Sequence, residues 1–392
     1  MRKSHLLIVF SLIIVGISGC DRGENAPSTA EGPSSSRLAE LLAPDDPGAY
    51  PLALLPREFS FPEDHGPHPE YRNEWWYVTG NLDSSQGRRF GFELTIFRFA
   101  LAPPEEDKEG PRAPAWTSAW ATNQVYIGHF AVTDVAAERF HVAERYARGA
   151  LGLAGATVLP FRAWVEDWRL EDTGDGFRLS AVDQDVELSL SLKALKGPVL
   201  NGRDGLSQKS QASGNASYYY SVPRLQTLGS LSIAGDRHDV SGLAWLDREW
   251  GSSALSREQA GWDWFALQLS DGSDLMYYNL RKTDGSDDPH SAGTFIPAEG
   301  DSEYLSRDDV TIETRKFWDS PQGGRYPMGW TISIPRLDLV LQVDPVLDAQ
   351  ELHTTVRYWE GAVDVAGTRS GRAVGGRGYV ELTGYASVVS RK

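Results

Sequence analysis

The segment Trp245-Leu246-Asp247-Arg248-Glu249-Trp250 sets two carboxylates two residues apart, with an indole at either end. Read as a strand, Trp245, Asp247 and Glu249 share one face, and Leu246, Arg248 and Trp250 share the other. Carboxylates so spaced lie about 7 Å apart. Beside a Trp in a barrel lumen, at least one of them is partly desolvated, and burial raises its pKa so that it stays protonated near neutral pH. A neutral carboxylic acid among aromatic rings suits protonation of an isolated carbon–carbon double bond. The cation formed needs electron-rich rings around it and a water molecule to quench it. The same two residues also have a structural reading, as a buried Asp–Arg or Glu–Arg pair or as strand residues facing solvent. Two carboxylates at this separation fit a glycosidase only loosely.

Other candidates surround this pair. Glu74-Trp75-Trp76 joins an acid to two indoles, and Trp262-Asp263-Trp264 does the same. Trp75, Trp76, Trp262 and Trp264 are candidates to bind an apolar ligand, with Glu74 beside them. Glu74 has a second reading, a salt bridge to Arg72 or another arginine. Asp263 points away from Trp262 and Trp264 if the segment is a strand. His65 and His68 lie three apart in a Pro-rich loop, where zinc would need two more ligands, and His129 is the other histidine weighed. No metal site is expected. No Gly-x-Ser-x-Gly elbow and no phosphate-cradling glycine loop are present, so neither a serine hydrolase nor a nucleotide cofactor is indicated. No cofactor is expected.

The chain opens with Arg2 and Lys3, an apolar run from Leu6 to Val15, and Ile17-Ser18-Gly19 directly before Cys20. The run is too short to span a bilayer as a helix. This looks like the leader and lipobox of bacterial lipoproteins, with Cys20 as the lipid attachment point. A lone cysteine in an exported chain has no disulfide partner, which agrees with that reading. Two or three acyl chains, at about 0.8 kcal/mol per buried methylene, anchor durably. Asp21 resembles the signal that keeps lipoproteins in the inner membrane of enteric bacteria. The expected location is the periplasmic face of that membrane.

The full sequence carries a net charge of −16, and loses two cations with the leader. An acidic surface argues against nucleic acid and against electrostatic docking on anionic lipid. The acids are scattered, as suits solubility. With 13 Trp, 15 Tyr and 14 Phe, aromatic burial can hold the fold without disulfides.

Alternation dominates after the leader. Phe90, Phe92, Leu94 and Ile96 alternate with Gly91, Glu93 and Thr95, one buried face and one polar. Val186, Leu188, Leu190 and Leu192 repeat the pattern, while Val125 to Val132 is apolar on both faces. Ser270-Asp271-Gly272-Ser273 between aromatic runs predicts a hairpin, and Pro335-Arg336 predicts another. Pro223 to Arg237 has turn character around a strand-like Leu228 to Ile233. The class is all-β, barrel or sandwich, with few short helices. The divisions expected are a lipoprotein signal peptide over 1–20 and a disordered, Pro-rich tether over 21–58, including a short helical turn over 37–42. An N-terminal domain follows over 59–255 and a C-terminal one over 256–392.

Three stretches go beyond composition: Phe61-Pro62-Glu63-Asp64-His65-Gly66-Pro67-His68-Pro69-Glu70-Tyr71-Arg72-Asn73-Glu74-Trp75-Trp76-Tyr77 with Gly80-Asn81-Leu82, then Trp245 to Gly251, then Gly261-Trp262-Asp263-Trp264-Phe265. Together they resemble the lipocalin-like family of the carotenoid 1,2-hydratases (hydroxyneurosporene synthases) and the secreted AttH-like proteins, often labelled predicted secreted hydrolases. The resemblance runs from about residue 60 to the C-terminus. It implies two lipocalin-like antiparallel barrels in tandem, and an Asp in an aromatic-x-Asp segment as proton donor, which falls on Asp247. This chain has Trp245 where those hydratases carry Tyr, and Tyr220 where they carry Trp.

Two functions of different class follow. In the first, Asp247 protonates an alkene of an apolar isoprenoid or lipid-like molecule, Trp245 and Tyr220 stabilise the cation, and water adds, with Glu249 beside them. In the second, the cavity carries a lipid and passes it to a membrane transport partner. A secreted hydrolase, as the family label suggests, is the third.

Overall fold

Strand alternation decides the architecture, because nearly every strand must bury at least one face. The computed structural model describes residues 50–103, 118–253 and 255–386. The leader, Cys20, most of the tether and the helical turn expected over 37–42 lie outside the described residues.

The first sheet opens with a meander of β1 (Asn73–Ser84), β2 (Arg89–Ala100), β3 (Gln124–Asp134) and β4 (Arg139–Arg148). Short strands follow: β5 (Ala154–Thr157), β6 (Arg162–Val165), β7 (Trp168–Asp172), β8 (Phe177–Asp183) and β9 (Val186–Ala194). The pieces β10 (Val199–Leu200) and β11 (Leu206–Gln208) pair with β12 (Ala216–Ile233), and β13 (Asp236–Gly251) completes the sheet. The spatial order is β4-β3-β2-β1-β13-β12-β9-β8-β7-β6-β5. Its ends curl toward each other: Arg145 of β4 pairs with Asp167, and its guanidinium lies 4.5 Å from the Trp168 ring on β7.

The second sheet starts with the hairpin β14 (Gln259–Leu269) and β15 (Asp274–Lys282), turning at Asp271-Gly272 as expected. Gly272 has φ +83°, which a side chain would strain. Then come β16 (Ala292–Ile296), β17 (Glu303–Ser306), β18 (Thr311–Asp319) and β19 (Arg325–Ile334). A 3-10 turn at Pro335–Leu337 leads into β20 (Leu339–Pro345), followed by β21 (Glu351–His353), β22 (Arg357–Arg369) and β23 (Arg372–Leu382). The order is β17-β16-β15-β14-β23-β22-β20-β19-β18, with β21 on β22.

Each curled sheet wraps its own apolar core. Trp76, Val78, Phe90, Phe92, Leu94 and Ile96 fill the interior of the first, and Phe265, Trp330, Ile332, Leu341 and Val380 that of the second. A third cluster, with Tyr77, Tyr219, Trp245, Trp264, Met276 and Tyr379, joins the two sheets face to face. The central strands are therefore buried on both sides. Glu93 and Thr95, expected on a polar face, are fully enclosed because the second sheet covers them. β9 has no such cover and keeps its polar face, with Glu187 and Ser191 exposed.

Two local departures shape the site. Pro223 to Arg237, read as largely turn, instead continues β12 and turns into β13. The register shifts between Val222 and Leu225, so core positions pass from Tyr218, Tyr220 and Val222 to Leu225, Leu231 and Ile233. A bulge absorbs Pro223, which has no N–H to give a ladder. The segment before β1 also folds back as a plug on the first barrel. The His68 ring stacks on Trp250 with centroids 3.8 Å apart, and Trp76 Nε1 donates to the His65 carbonyl at 2.8 Å.

Candidate functional site

The cavity lies between the two sheets. The sequence reading placed the acid in a barrel lumen, but parity places it outside. Leu246 and Trp250 of β13 belong to the first barrel's packed core, and Trp245, Asp247 and Glu249 face the second sheet. The interior of that barrel is filled with side chains, as small barrels are. The intersheet cavity has about 130 Å3 of free space. Trp75, Phe97, Phe99, Ile127, Trp262 and Trp264 give it an apolar lining. Tyr146 and Thr355, both exposed, mark where it meets solvent.

Strand register sets one row of side chains across the first sheet. Ser221 of β12, Asp247 of β13, Tyr77 of β1, Thr95 of β2, His129 of β3 and Glu144 of β4 are successive partners. A matching row on the second sheet runs Tyr278, Trp264, Glu381, Glu360 over β15, β14, β23 and β22. The rows meet where Tyr77 and Trp264 pack edge to face, centroids 5.1 Å apart.

Asp247 sits in a cage of donors. Trp245 Nε1 donates to Oδ1 at 2.6 Å, Ser221 Oγ donates to the same oxygen, and Tyr219 Oη donates to Oδ2. Asn201 Nδ2 donates to Ser221 Oγ at 2.7 Å, and Trp264 Nε1 donates to Tyr219 Oη at 3.0 Å, so two of the donors are themselves held. Burial pushes the Asp247 carboxyl up and the three donors pull it back, leaving it at about 7. The nearby Glu249 adds like charge. No cation pairs with Asp247 among the described residues. Such a group can give or take a proton at neutral pH.

Glu249 has a different setting. Lys209 Nζ lies 2.9 Å from its Oε1, and Ser217 Oγ donates to the same oxygen. The Lys209 ammonium also lies 4.3 Å from the Tyr278 ring centre. Glu249 thus lines the cavity as half of an ion pair.

Four of the sequence candidates stand elsewhere than expected. Tyr220 faces the first barrel's interior, where His65 Nδ1 lies 2.6 Å from its hydroxyl. Its neighbour Tyr219 points into the cavity, because adjacent strand residues face opposite ways. Trp76, fully buried, packs in the first barrel's core under the Arg248 guanidinium at 4.2 Å. Glu74 is also enclosed outside the cavity, bonded to Arg98 and held 2.9 Å from Arg248 Nη2. Burial raises its pKa, but Arg98, the His68 bond and Arg248 outweigh that and hold it well below the usual range. Trp245 is buried beside the cavity with its N–H on Asp247, so it acts as a donor to the acid. Trp75, Trp262, Trp264, Glu249 and Asp247 do come together in the cavity wall. Asp263 points away, to Arg281 at 2.9 Å, as strand parity predicts.

Several groups escaped the sequence reading. Tyr219 and Ser221 were hidden by the run Tyr218-Tyr219-Tyr220-Ser221, whose facing cannot be read without the register. Glu381, half-buried in the cavity wall, accepts a hydrogen bond from Trp262. Burial, with like charge from Asp247 and Glu249, raises it to about 8. A lone Glu within Tyr379-Val380-Glu381-Leu382 was its available signal. Behind it, Glu93 and Glu360 are raised well above the carboxylate range by burial, and Glu360 accepts from Tyr77 Oη. At the outer end, His129 bridges Glu144 at 3.1 Å and the Tyr358 hydroxyl at 2.7 Å, tying β3 and β4 to β22.

Known proteins share this arrangement of sheets. A family model described as AttH-like matches residues 53–385. The crystal structure of an AttH protein from Nitrosomonas europaea superposes with a TM-score of 0.75 at 33% identity, covering 85% of this chain and 100% of that one. Kievitone hydratase from Nectria haematococca superposes with a TM-score of 0.64 at 15% identity, over 92% of this chain and 100% of that one, a likeness of fold alone. Dehydratase asqC of Emericella nidulans is 23% identical over 216 residues, which are 52% of this chain and 60% of that protein. The chain belongs to the AttH-like family, with the tandem lipocalin-like fold that its two curled antiparallel sheets display.

Proposed function

We propose that the intersheet cavity binds an apolar molecule bearing an isolated carbon–carbon double bond, isoprenoid or prenyl-like, and that Asp247 starts addition of water to it, or the reverse elimination. The observation that carries this reading is the caged Asp247 carboxyl, at about 7, on the wall of an aromatic cavity. In the protonated form it gives its proton to one alkene carbon. Positive charge then develops on the next carbon, where the faces of Trp75, Tyr77, Tyr219 and Trp264 can stabilise it. Water closes the reaction. Tyr219 and Trp264 take the part that Tyr220 and Trp245 were expected to play. A dehydratase among the similar proteins supports the class of reaction.

Free space of about 130 Å3 suits a ring or the end of a prenyl chain, since an engineered cavity of about 150 Å3 takes benzene. The rest of a long molecule extends past Tyr146 and Thr355. The leader and Cys20 support placement on the periplasmic face of an inner membrane, where such a molecule would be drawn from the bilayer.

The apolar lining favours a second reading, a carrier that delivers a lipid to a membrane transport partner. Incubation with kievitone and with neurosporene in 18O-labelled water separates the two. A hydratase puts one labelled oxygen into product, and Asp247→Asn abolishes this while affinity is kept. Binding without label incorporation, unchanged in Asp247→Asn, identifies the carrier and rejects the hydratase.

A further inference from the structure

Addition of water moves two protons, one onto carbon and one off the attacking water. Asp247 supplies the first, and where water attacks the face turned away from Asp247 a second group must take the other. We infer that Glu381 is the second catalytic residue, the base that takes the proton from the attacking water, facing Asp247 from the other sheet. This rests on the hydratase reading of the cavity and deepens it.

The geometry supports the pairing. Asp247 and Glu381 both line the cavity, one from β13 of the first sheet and the other from β23 of the second. Their neighbours interlock: Tyr219, which donates to Asp247, accepts from Trp264 Nε1 at 3.0 Å, and Trp264 is the register partner of Glu381. Side chains opposed across antiparallel strands lie about 5 Å apart. The two acids also differ in how they are held. Asp247 accepts three hydrogen bonds that fix its orientation. Glu381 has the Trp262 indole alone among the described residues, which leaves an oxygen to meet water.

The charged and titratable groups around Glu381 are Asp247 and Glu249 in front, Glu93 and Glu360 behind, and Tyr77 and Tyr358 beside it. Lys209, the one lysine or arginine in the cavity wall among the described residues, is taken by Glu249. Glu381 therefore lacks a fixed counter-ion among the described residues.

The steps balance. The π electrons of the alkene take the Asp247 proton, forming a C–H bond and leaving Asp247 a carboxylate. A water lone pair forms the C–O bond at the cationic carbon. The proton of that oxonium passes to the Glu381 carboxylate. One proton then returns from Glu381 to Asp247 through cavity water, and the net change is one water added. Elimination runs the same steps backwards.

Turnover of kievitone by Glu381→Gln and Glu381→Ala tests the assignment, with melting temperature as the check on folding. General-base removal costs roughly 100-fold or more. Both variants should lose this much with KM little changed, and formate should restore Glu381→Ala in proportion to its concentration. Glu381→Gln should also lose the acidic limb of the pH profile. Wild-type rates in a folded Glu381→Gln, beside an inactive Asp247→Asn, would overturn the role of Glu381 and leave the hydratase reading intact. Variants slowed with no formate rescue and no change in the pH limb would overturn it too, leaving a structural role. A wild type inactive on kievitone moves the test to labelling by dicyclohexylcarbodiimide, which attacks protonated carboxyls in apolar pockets. Glu381 must then label while protonated and lose reactivity as pH rises through about 8, where it becomes the carboxylate that the base role needs. A Glu381 that labels at no pH, acidic pH included, is not reached from the cavity, and that overturns the inference without reference to any substrate.

Discussion

Tyr77 and Asp247 are direct partners across β1 and β13, yet their polar ends part company. Tyr77 sends its hydroxyl to Glu360 on the second sheet, while Asp247 is gripped by Ser221, Tyr219 and Trp245 of the first. The acid keeps three donors and meets the cavity, and burial opposed by those donors sets how readily it ionises.

Tyr219→Phe removes a donor that favours the charged form of Asp247, so its pKa rises above about 7. The basic limb of any activity profile should move to higher pH. Tyr220→Phe, altered one residue away on the barrel side, should leave that limb in place. The two profiles measured side by side check the strand facing.

Stability should fall as pH rises from about 4 to about 7. An unfolded Asp loses its proton near ~3.9, whereas folded Asp247 holds it to about 7. Between those values the folded state binds more protons, so its advantage is full below the unfolded value and is lost on the way up. Asp247→Asn should flatten this slope, by up to roughly 4 kcal/mol at ~1.4 kcal/mol for each pH unit. Urea unfolding of both proteins across that range measures the difference.

Glu74 should matter for folding rather than for ligand. It is buried between Arg98 and Arg248, and removing one partner of such a set costs about 3–5 kcal/mol. Glu74→Gln should therefore lower the unfolding free energy by that order. Once folded at low temperature, the variant should bind apolar ligand as the wild type does, a comparison open to fluorescence titration.

Sequence periodicity revealed the sheets but not what covers them. Alternation along β2 identified Phe90, Phe92, Leu94 and Ile96 as a core face, and the Asp271-Gly272 turn set the β14–β15 hairpin. The opposite face of β2 looked solvent-facing because Glu93 and Thr95 are polar; only the second sheet, far along the chain, encloses them. Parity within Trp245 to Trp250 was legible, which is why Asp247 and Glu249 were grouped correctly. Which side of that strand held the cavity was not, since both faces carry Trp. Glu74, Trp76 and Tyr220 were grouped with the site because they lie in aromatic motifs. In the fold they build the plugged interior of the first barrel. Glu381 was missed because sheet packing, not sequence spacing, brings it into the same cavity wall as Asp247.

Infrared titration of wild type against Asp247→Asn tests most directly whether Asp247 is a neutral acid in the cavity. The expected result is a protonated-carboxyl stretch that fades with a midpoint at about 7 and is missing from Asp247→Asn. A wild-type spectrum in which Asp247 is already ionised near pH ~5, about one unit above the ordinary carboxylate range, would contradict the account.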